Sequence, residues 1–166
     1  ANLLLGDPND FYRTPLMSLA KTSEYVDNHV KLGMYLTNVY ISRGYAREGY
    51  LNACDGLGYT ALHYACDIPQ VDLDATVEFR RRMTLCRFSL IKRLLEASAC
   101  PLVLSASGET PSQVFERRLR EGSAASGDTS PLTERFPASV WSGFRQILAL
   151  IGEHEVLRHK KLEKND

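Results

Sequence analysis

The stretch Asp55-Gly-Leu-Gly-Tyr-Thr-Ala-Leu-His-Tyr-Ala65 decides the fold, because each position in it suits a separate backbone task. Asp55 with Gly56 and Gly58 fits a tight turn, since glycine reaches positive φ at no steric cost. Thr60 fits the cap of a helix that starts at once, and Ala61, Leu62 and Ala65 give that helix a small apolar packing face. A turn is expected to feed directly into a helix.

Two other stretches carry the same pattern. Asn9-Asp-Phe-Tyr-Arg-Thr14-Pro15-Leu16-Met17-Ser-Leu-Ala20 has Met17 in the place of His63 and Tyr12 in the place of the turn glycine. Ser105-Ala-Ser-Gly108-Glu-Thr110-Pro111-Ser-Gln-Val114 has Ser112 for Leu62 and Gln113 for His63. Three copies in one register predict a repeated unit, and a unit of this size needs neighbours to bury its apolar faces. The pattern resembles the ankyrin-repeat signature, a β-turn followed by Thr-Pro-Leu-His-x-Ala and two antiparallel helices, with Ala61 where Pro is usual. Tyr50-Leu-Asn52-Ala-Cys-Asp55 is similar to the family's approach to the next turn, Asp-Val-Asn-Ala-x-Asp. The resemblance implies an all-α protein, an ankyrin-repeat solenoid of stacked helix-turn-helix units with lengthened outer helices and β-turn fingers. It divides the chain into repeat 1 (9–54), repeat 2 (55–104), repeat 3 or C-terminal cap (105–158) and a charged tail (159–166).

The spacing departs from the family. Thr14 to Thr60 is 46 residues and Thr60 to Thr110 is 50, against a family period of about 33. In the second unit Phe79, Met83, Cys86, Leu90 and Leu94 recur at steps of three and four, which predicts one outer helix of about twenty residues, lengthened at its N-terminal end. Asp74 is placed to cap it, and Ser98 lies near its end. In the first unit Ser23 or Asp27 starts a helix through Val30, Met34 and Tyr40, with Gly44 as its stop and 45–49 as an elongated finger loop. In the third, Glu121–Ser130 is small, polar and aperiodic, and reads as a loop. Phe136-Pro137 then opens a last helix with Pro in its first turn and Trp141, Phe144, Leu148 and Ile151 on its core face. Residues from Arg158 onward read as a frayed extension or a tail. Leu3-Leu4-Leu5 either caps the first unit or marks a domain excised from a longer protein, the second being preferred.

Bulk properties narrow the function classes. Among 166 residues, Lys plus Arg and Asp plus Glu stand at 20 each, so net charge gives no argument for nucleic acid or anionic lipid. No apolar run of about eighteen residues is present to span a membrane, and Leu3–Leu5 is too short for a signal-peptide core. Cys54, Cys66, Cys86 and Cys100 are widely spaced with no C-x-x-C pair, which fits reduced thiols and an intracellular protein, cytoplasmic or nuclear.

Candidate chemistry is sparse. His63 lies near Cys54, Cys66 and Asp67, but a Cys–His pair needs a thiolate beside a base and a third group to orient that base. The resemblance instead makes Thr60 and His63 structural, with the imidazole bonding backbone between repeats. Convergent metal-ligand spacings and a phosphate loop are missing from the sequence, so no metal, cofactor or catalytic residue is expected. Arg80, Arg81 and Arg82, with Arg87, Lys92 and Arg93, form a basic stripe. It reads as a solvated face first, and as a second contact surface for an acidic partner or phosphate as the alternative. Phe11, Tyr12 and Tyr59 are open to two readings, binding and packing, with a cation–π cage completed by Asp10 or Asp67 as a minor third.

The resemblance implies a concave binding face of turn tips and inner-helix ends. Carried over position by position, it comprises Asp10, Phe11, Arg13, Lys21 and Thr22 in repeat 1, and Gly56, Leu57, Tyr59, Asp67 and Ile68 in repeat 2. Ala106, Ser107, Glu109, Arg117 and Arg118 complete it in repeat 3. An apolar centre at Leu57, Tyr59 and Ile68 with a polar rim suits a protein partner. The expected function is therefore a non-catalytic module that recruits a protein, with no direct contact to nucleic acid or membrane. The alternative is a structural or regulatory domain packed within a larger, transcription-regulatory protein.

Overall fold

The computed structural model describes residues 13–21, 31–32, 35–39, 42–43, 49–69, 73, 75–124 and 136–165. These are mostly helical, and no strand occurs among them. The helices are α1 (Pro15–Lys21), α2 (Ala61–Cys66), α3 (Val77–Glu96), α4 (Pro111–Ala124) and α5 (Ala138–Glu163), with a 3-10 turn over Tyr50–Asn52. Residues 35–39 are helical as well. The expected start and stop of that first outer helix, the loop at 45–48 and the apolar residues at 3–5 lie outside the described residues.

The helices form two files. α1 packs on α2 and α2 on α4, while α3 packs on α5; contacts of α2 with α3 and of α4 with α5 join the files. Leu62, Ile68, Met83, Ile91, Leu94, Phe115 and Phe144 are fully buried between them. The rings of Phe115, Phe136 and Trp141 all meet Phe144 edge-on, the geometry that aromatic quadrupoles prefer. At the α3–α5 crossing, a Cβ on Gly143 would lie 2.5 Å from Thr84 Cγ2, so only glycine lets these helices approach so closely.

α3 has the expected length of 20 residues, but Thr76 rather than Asp74 is its N-cap: the Thr76 hydroxyl accepts from Phe79 N–H at 3.3 Å. Its end is a Schellman turn. Ala99 N–H donates to Leu94 O at 2.9 Å and Ser98 N–H to Leu95 O at 3.0 Å, with Ser98 at φ 78°.

Arg87 departs from the sequence reading altogether. It is buried rather than part of an exposed stripe, because its Nη1 donates to Ala65 O at 2.9 Å and to Tyr64 O and Ala20 O at 3.4 Å. One guanidinium thereby satisfies carbonyls at the C-terminal ends of both α1 and α2, which a helix leaves without partners of its own. A positive charge there also complements the negative ends of the two helix dipoles.

In the third unit two boundaries differ from expectation. Glu121–Ala124 continue α4 instead of forming a loop; the remainder of that segment lies outside the described residues. Pro137 is the N-cap of α5 instead of a first-turn residue. The buried face of α5 is Val140, Phe144, Ile147 and Ile151, with Trp141 and Leu148 half-buried on its flank. α5 runs on to Glu163, so most of the expected tail is helix.

A serine at positive φ costs about 1 kcal/mol relative to glycine. Ser98→Gly should therefore raise the unfolding free energy by about 1 kcal/mol in urea titration, with unchanged m. A variant no more stable than the parent would contradict the C-terminal turn of α3.

Candidate functional site

Two turns project from the starts of α2 and α4, and they are bonded alike. In the first, Asp55 N–H donates to Tyr59 O and Gly58 N–H to Asp55 O, both at 3.0 Å, with Gly58 at φ 72°. Asp55 Oδ1 accepts from Leu57 N–H at 2.9 Å and Tyr59 N–H at 3.0 Å. In the second, Ser105 N–H donates to Glu109 O and Gly108 N–H to Ser105 O, both at 2.9 Å, with Gly108 at φ 78°. The Ser105 hydroxyl stands in for the Asp55 carboxylate, accepting from Glu109 N–H at 3.2 Å.

The helix starts are also alike, in three copies. A threonine hydroxyl accepts from the N–H three residues on: Thr14 from Met17 at 3.2 Å, Thr60 from His63 at 3.3 Å, Thr110 from Gln113 at 3.4 Å. The third residue's side chain accepts from the threonine N–H in return, through Met17 Sδ at 3.4 Å, His63 Nδ1 at 3.1 Å and Gln113 Oε1 at 2.9 Å. This is a reciprocal capping box. Three unlike side chains serve it because each offers an acceptor at the same reach.

The two turns lock together. Ala106 N–H donates to Leu57 O at 2.9 Å, and a Cβ on Gly58 would lie 2.6 Å from Ala106 N, so glycine is required there twice over. His63 Nε2–H donates to Glu109 O at 3.0 Å, and Cys100 N–H to Asn52 Oδ1 at 2.7 Å. Behind the turns Arg13 Nε donates to Tyr64 Oη at 3.0 Å, and Tyr64 donates to buried Asp55. Burial, then this bond to a carboxylate, pushes the Tyr64 phenol up to about 12.

The residues expected to bind a partner do not share one environment. Gly56, Leu57, Ala106 and Ser107 are exposed tips, Leu57 at 46%. Tyr59, Asp67, Glu109, Arg117 and Arg118 form one half-buried network. Arg117 binds Glu109 at 2.9 Å, Glu121 at 3.1 Å and the Tyr59 hydroxyl at 3.4 Å, while Arg118 binds Asp67. Those pairings raise both arginines' pKa and hold the Glu109 carboxyl below its usual range. Lys21 is exposed, whereas Arg13 is committed to Tyr64 and Asp55. Ile68 is the correction: fully buried, it belongs to the core and offers a partner nothing. Asp10, Phe11 and Thr22 lie outside the described residues, as does Tyr12. Tyr59 packs as well as borders the face, stacking on His63 at 5.1 Å and meeting Tyr64 edge-on at 5.2 Å.

Arg87 is lost from the basic stripe to the core, while Arg81, Arg82 and Lys92 stay exposed as a solvated face requires. Arg80 lies over the Phe136 ring at 6.0 Å, Arg81 pairs with Glu78 at 3.7 Å, Arg82 is exposed and Arg87 is buried. Lys92 pairs with Glu96 at 4.0 Å, and Arg93 binds Asn38. Sequence reasoning missed Arg87, Asn52 and Tyr64 as ties between elements, because each acts on a residue far off in the chain.

His63 and Cys66 are both fully buried. Each imidazole nitrogen is committed, one to Thr60 and one to Glu109, and burial drives the Cys66 thiol pKa upward. Among the described residues no three His, Cys, Asp or Glu gather to hold a metal, and no helix is long and apolar enough to cross a membrane. Clefts along α5, one at Trp141 and Arg145 and another at His154 and Arg158, include none of the turn residues. Comparison of the chain with family models, with curated proteins and with solved structures finds no match.

Burial lowers the His63 pKa from its ordinary value of 6.5. As pH falls, the unfolded chain takes up this proton first. Stability from His63 is thus complete above pH 6.5 and is lost below it, toward the folded pKa. His63→Gln keeps both capping bonds, by the precedent of Gln113, and should flatten stability against pH below 6.5. Chemical denaturation at several pH values checks this; equal slopes for parent and variant would contradict it.

Proposed function

We propose that the chain is a divergent ankyrin-repeat domain, a stack of three units at Thr14, Thr60 and Thr110, and that it acts as a non-catalytic module recruiting a protein. One observation carries the reading: the turns at 55–59 and 105–109 share their backbone hydrogen bonds, and Thr60 and Thr110 share the reciprocal cap. The cap recurs at Thr14. Two files of helices with the turns at their starts fit such a stack.

The docking face is the row of turn tips and the network beside it. Leu57 is a half-exposed apolar side chain at the centre, with Gly56, Ala106 and Ser107 around it. The ion pairs of Asp67 with Arg118 and of Glu109 with Arg117 hold the rim in a fixed geometry. A rigid polar rim around an apolar centre suits a protein surface. Because these charges are already paired with one another, the face selects by shape and apolar contact more than by net charge. The engagement of both His63 nitrogens supports a structural over a catalytic role for that residue.

A second reading has its own support. Tyr35 is 63% exposed and Leu85 58%, both on helices away from the turns. Large apolar side chains so placed favour a structural or regulatory domain whose outer helices pack against a neighbouring domain of the same parent protein.

Leu57→Asp changes a half-exposed tip and should leave the melting temperature nearly unchanged. It should reduce partner recovery in proximity capture by about tenfold or more, as loss of an apolar anchor does. Unchanged recovery would contradict the docking face. If Leu85→Asp removed the same partners instead, the outer-layer reading would take its place.

A further inference from the structure

The turn at 105–109 repeats the turn at 55–59, yet the face that the earlier turn uses to hold a backbone holds none in the later one among the described residues. The occupied copy has three parts. Leu57 O accepts the Ala106 N–H, Gly58 leaves the space in which that backbone lies, and His63 Nε2–H donates to Glu109 O.

Each part has its counterpart one unit on. Ser107 O stands where Leu57 O does and receives no hydrogen bond among the described residues. Gly108 has the same left-handed φ as Gly58, but a Cβ on it would meet nothing within 4 Å among the described residues. Gln113 takes the place of His63. Its Oε1 accepts from Thr110 N–H, which leaves the amide NH2 as the donor corresponding to Nε2–H of the imidazole. Gln113, Ser107 and Gly108 are all exposed.

We infer that Ser107, Gly108 and Gln113 form a backbone-reading site for a turn loop of a protein partner. The loop presents an N–H to Ser107 O and, three residues later, a C=O to the Gln113 amide. The spacing is that of Ala106 and Glu109 against the preceding turn, so the occupant continues an interface already present in the fold. A whole further helical layer is disfavoured, because exposed Arg120 pairs with Glu116 on the adjoining surface of α4. A narrow loop with a small residue against Gly108 meets the three groups without burying that pair. The site deepens the proposed function and rests on it, since it names the class of segment that this end of the docking face takes.

The test uses the full chain, labelled with nitrogen-15, and as probe a head-to-tail cyclised peptide of the chain's own residues 102–111. That is the segment seated against Gly58. Saturable shifts are expected at Ala106, Ser107, Gly108 and the Gln113 side-chain amide. Gln113→His keeps both the cap acceptor and the outward donor and should bind as the parent does. Gln113→Glu keeps the acceptor and loses the donor, and should bind about tenfold more weakly or worse. A probe N-methylated at the residue matching Ala106 should lose binding to the unaltered protein. The inference is overturned if those signals do not move, if shifts appear at 57–59 instead, or if Gln113→Glu and the N-methylated probe bind as tightly as their parents. Such a failure, with Leu57→Asp still abolishing capture, would leave the docking face standing; the reverse pattern would remove the wider face and keep this site.

Discussion

The neutral imidazole of His63 is the constraint on which the rest of the structure depends. Thr60 N–H can only donate and Glu109 C=O can only accept, so the ring between them must carry its proton on Nε2 and no positive charge. That single requirement joins a helix start to its own turn and to the turn of the next unit. It also fixes how near the turns approach, and Gly58 and the Ala106–Leu57 bond follow from that approach. Burial then makes the uncharged state the one this environment favours.

Arg87 plays the matching part at the other end of the short helices. Helices of seven and six residues, α1 and α2, leave most of their carbonyls without intrahelical partners. A buried guanidinium that reaches Ala20, Tyr64 and Ala65 meets that need from α3, and so ties the two files together. Between the imidazole at one end and the guanidinium at the other, α2 is held at both termini, which suits a helix too short to be stable alone.

What could be read from residues is what is local. The turn at Asp55, the cap at Thr60 and its copies depend on neighbours within five positions, so their spacing was legible, as was the length of α3 from its steps of three and four. Cap and boundary choices slipped by a residue or two, as with Thr76 for Asp74 and Pro137 for a first-turn proline, because adjacent candidates offer nearly equal chemistry. Long-range commitments were not legible. Arg87 looks like its arginine neighbours until α1 and α2 are brought against α3, and Ile68 falls at an inner-helix end on the expected face until the core closes over it. The candidate face was legible at its tips, whereas the pairing of Asp67 with Arg118 and of Glu109 with Arg117 needs two units side by side.

The turns at 55–59 and 105–109 touch directly, through the hydrogen bond from Ala106 N–H to Leu57 O. Scalar coupling across hydrogen bonds reports that contact directly, in solution and without any partner. A long-range coupling experiment on uniformly labelled protein should show a cross-peak between Ala106 N and the Leu57 carbonyl carbon, which no local structure could produce. Absence of that cross-peak, with the couplings within α3 and α5 plainly seen, would contradict the stacked arrangement.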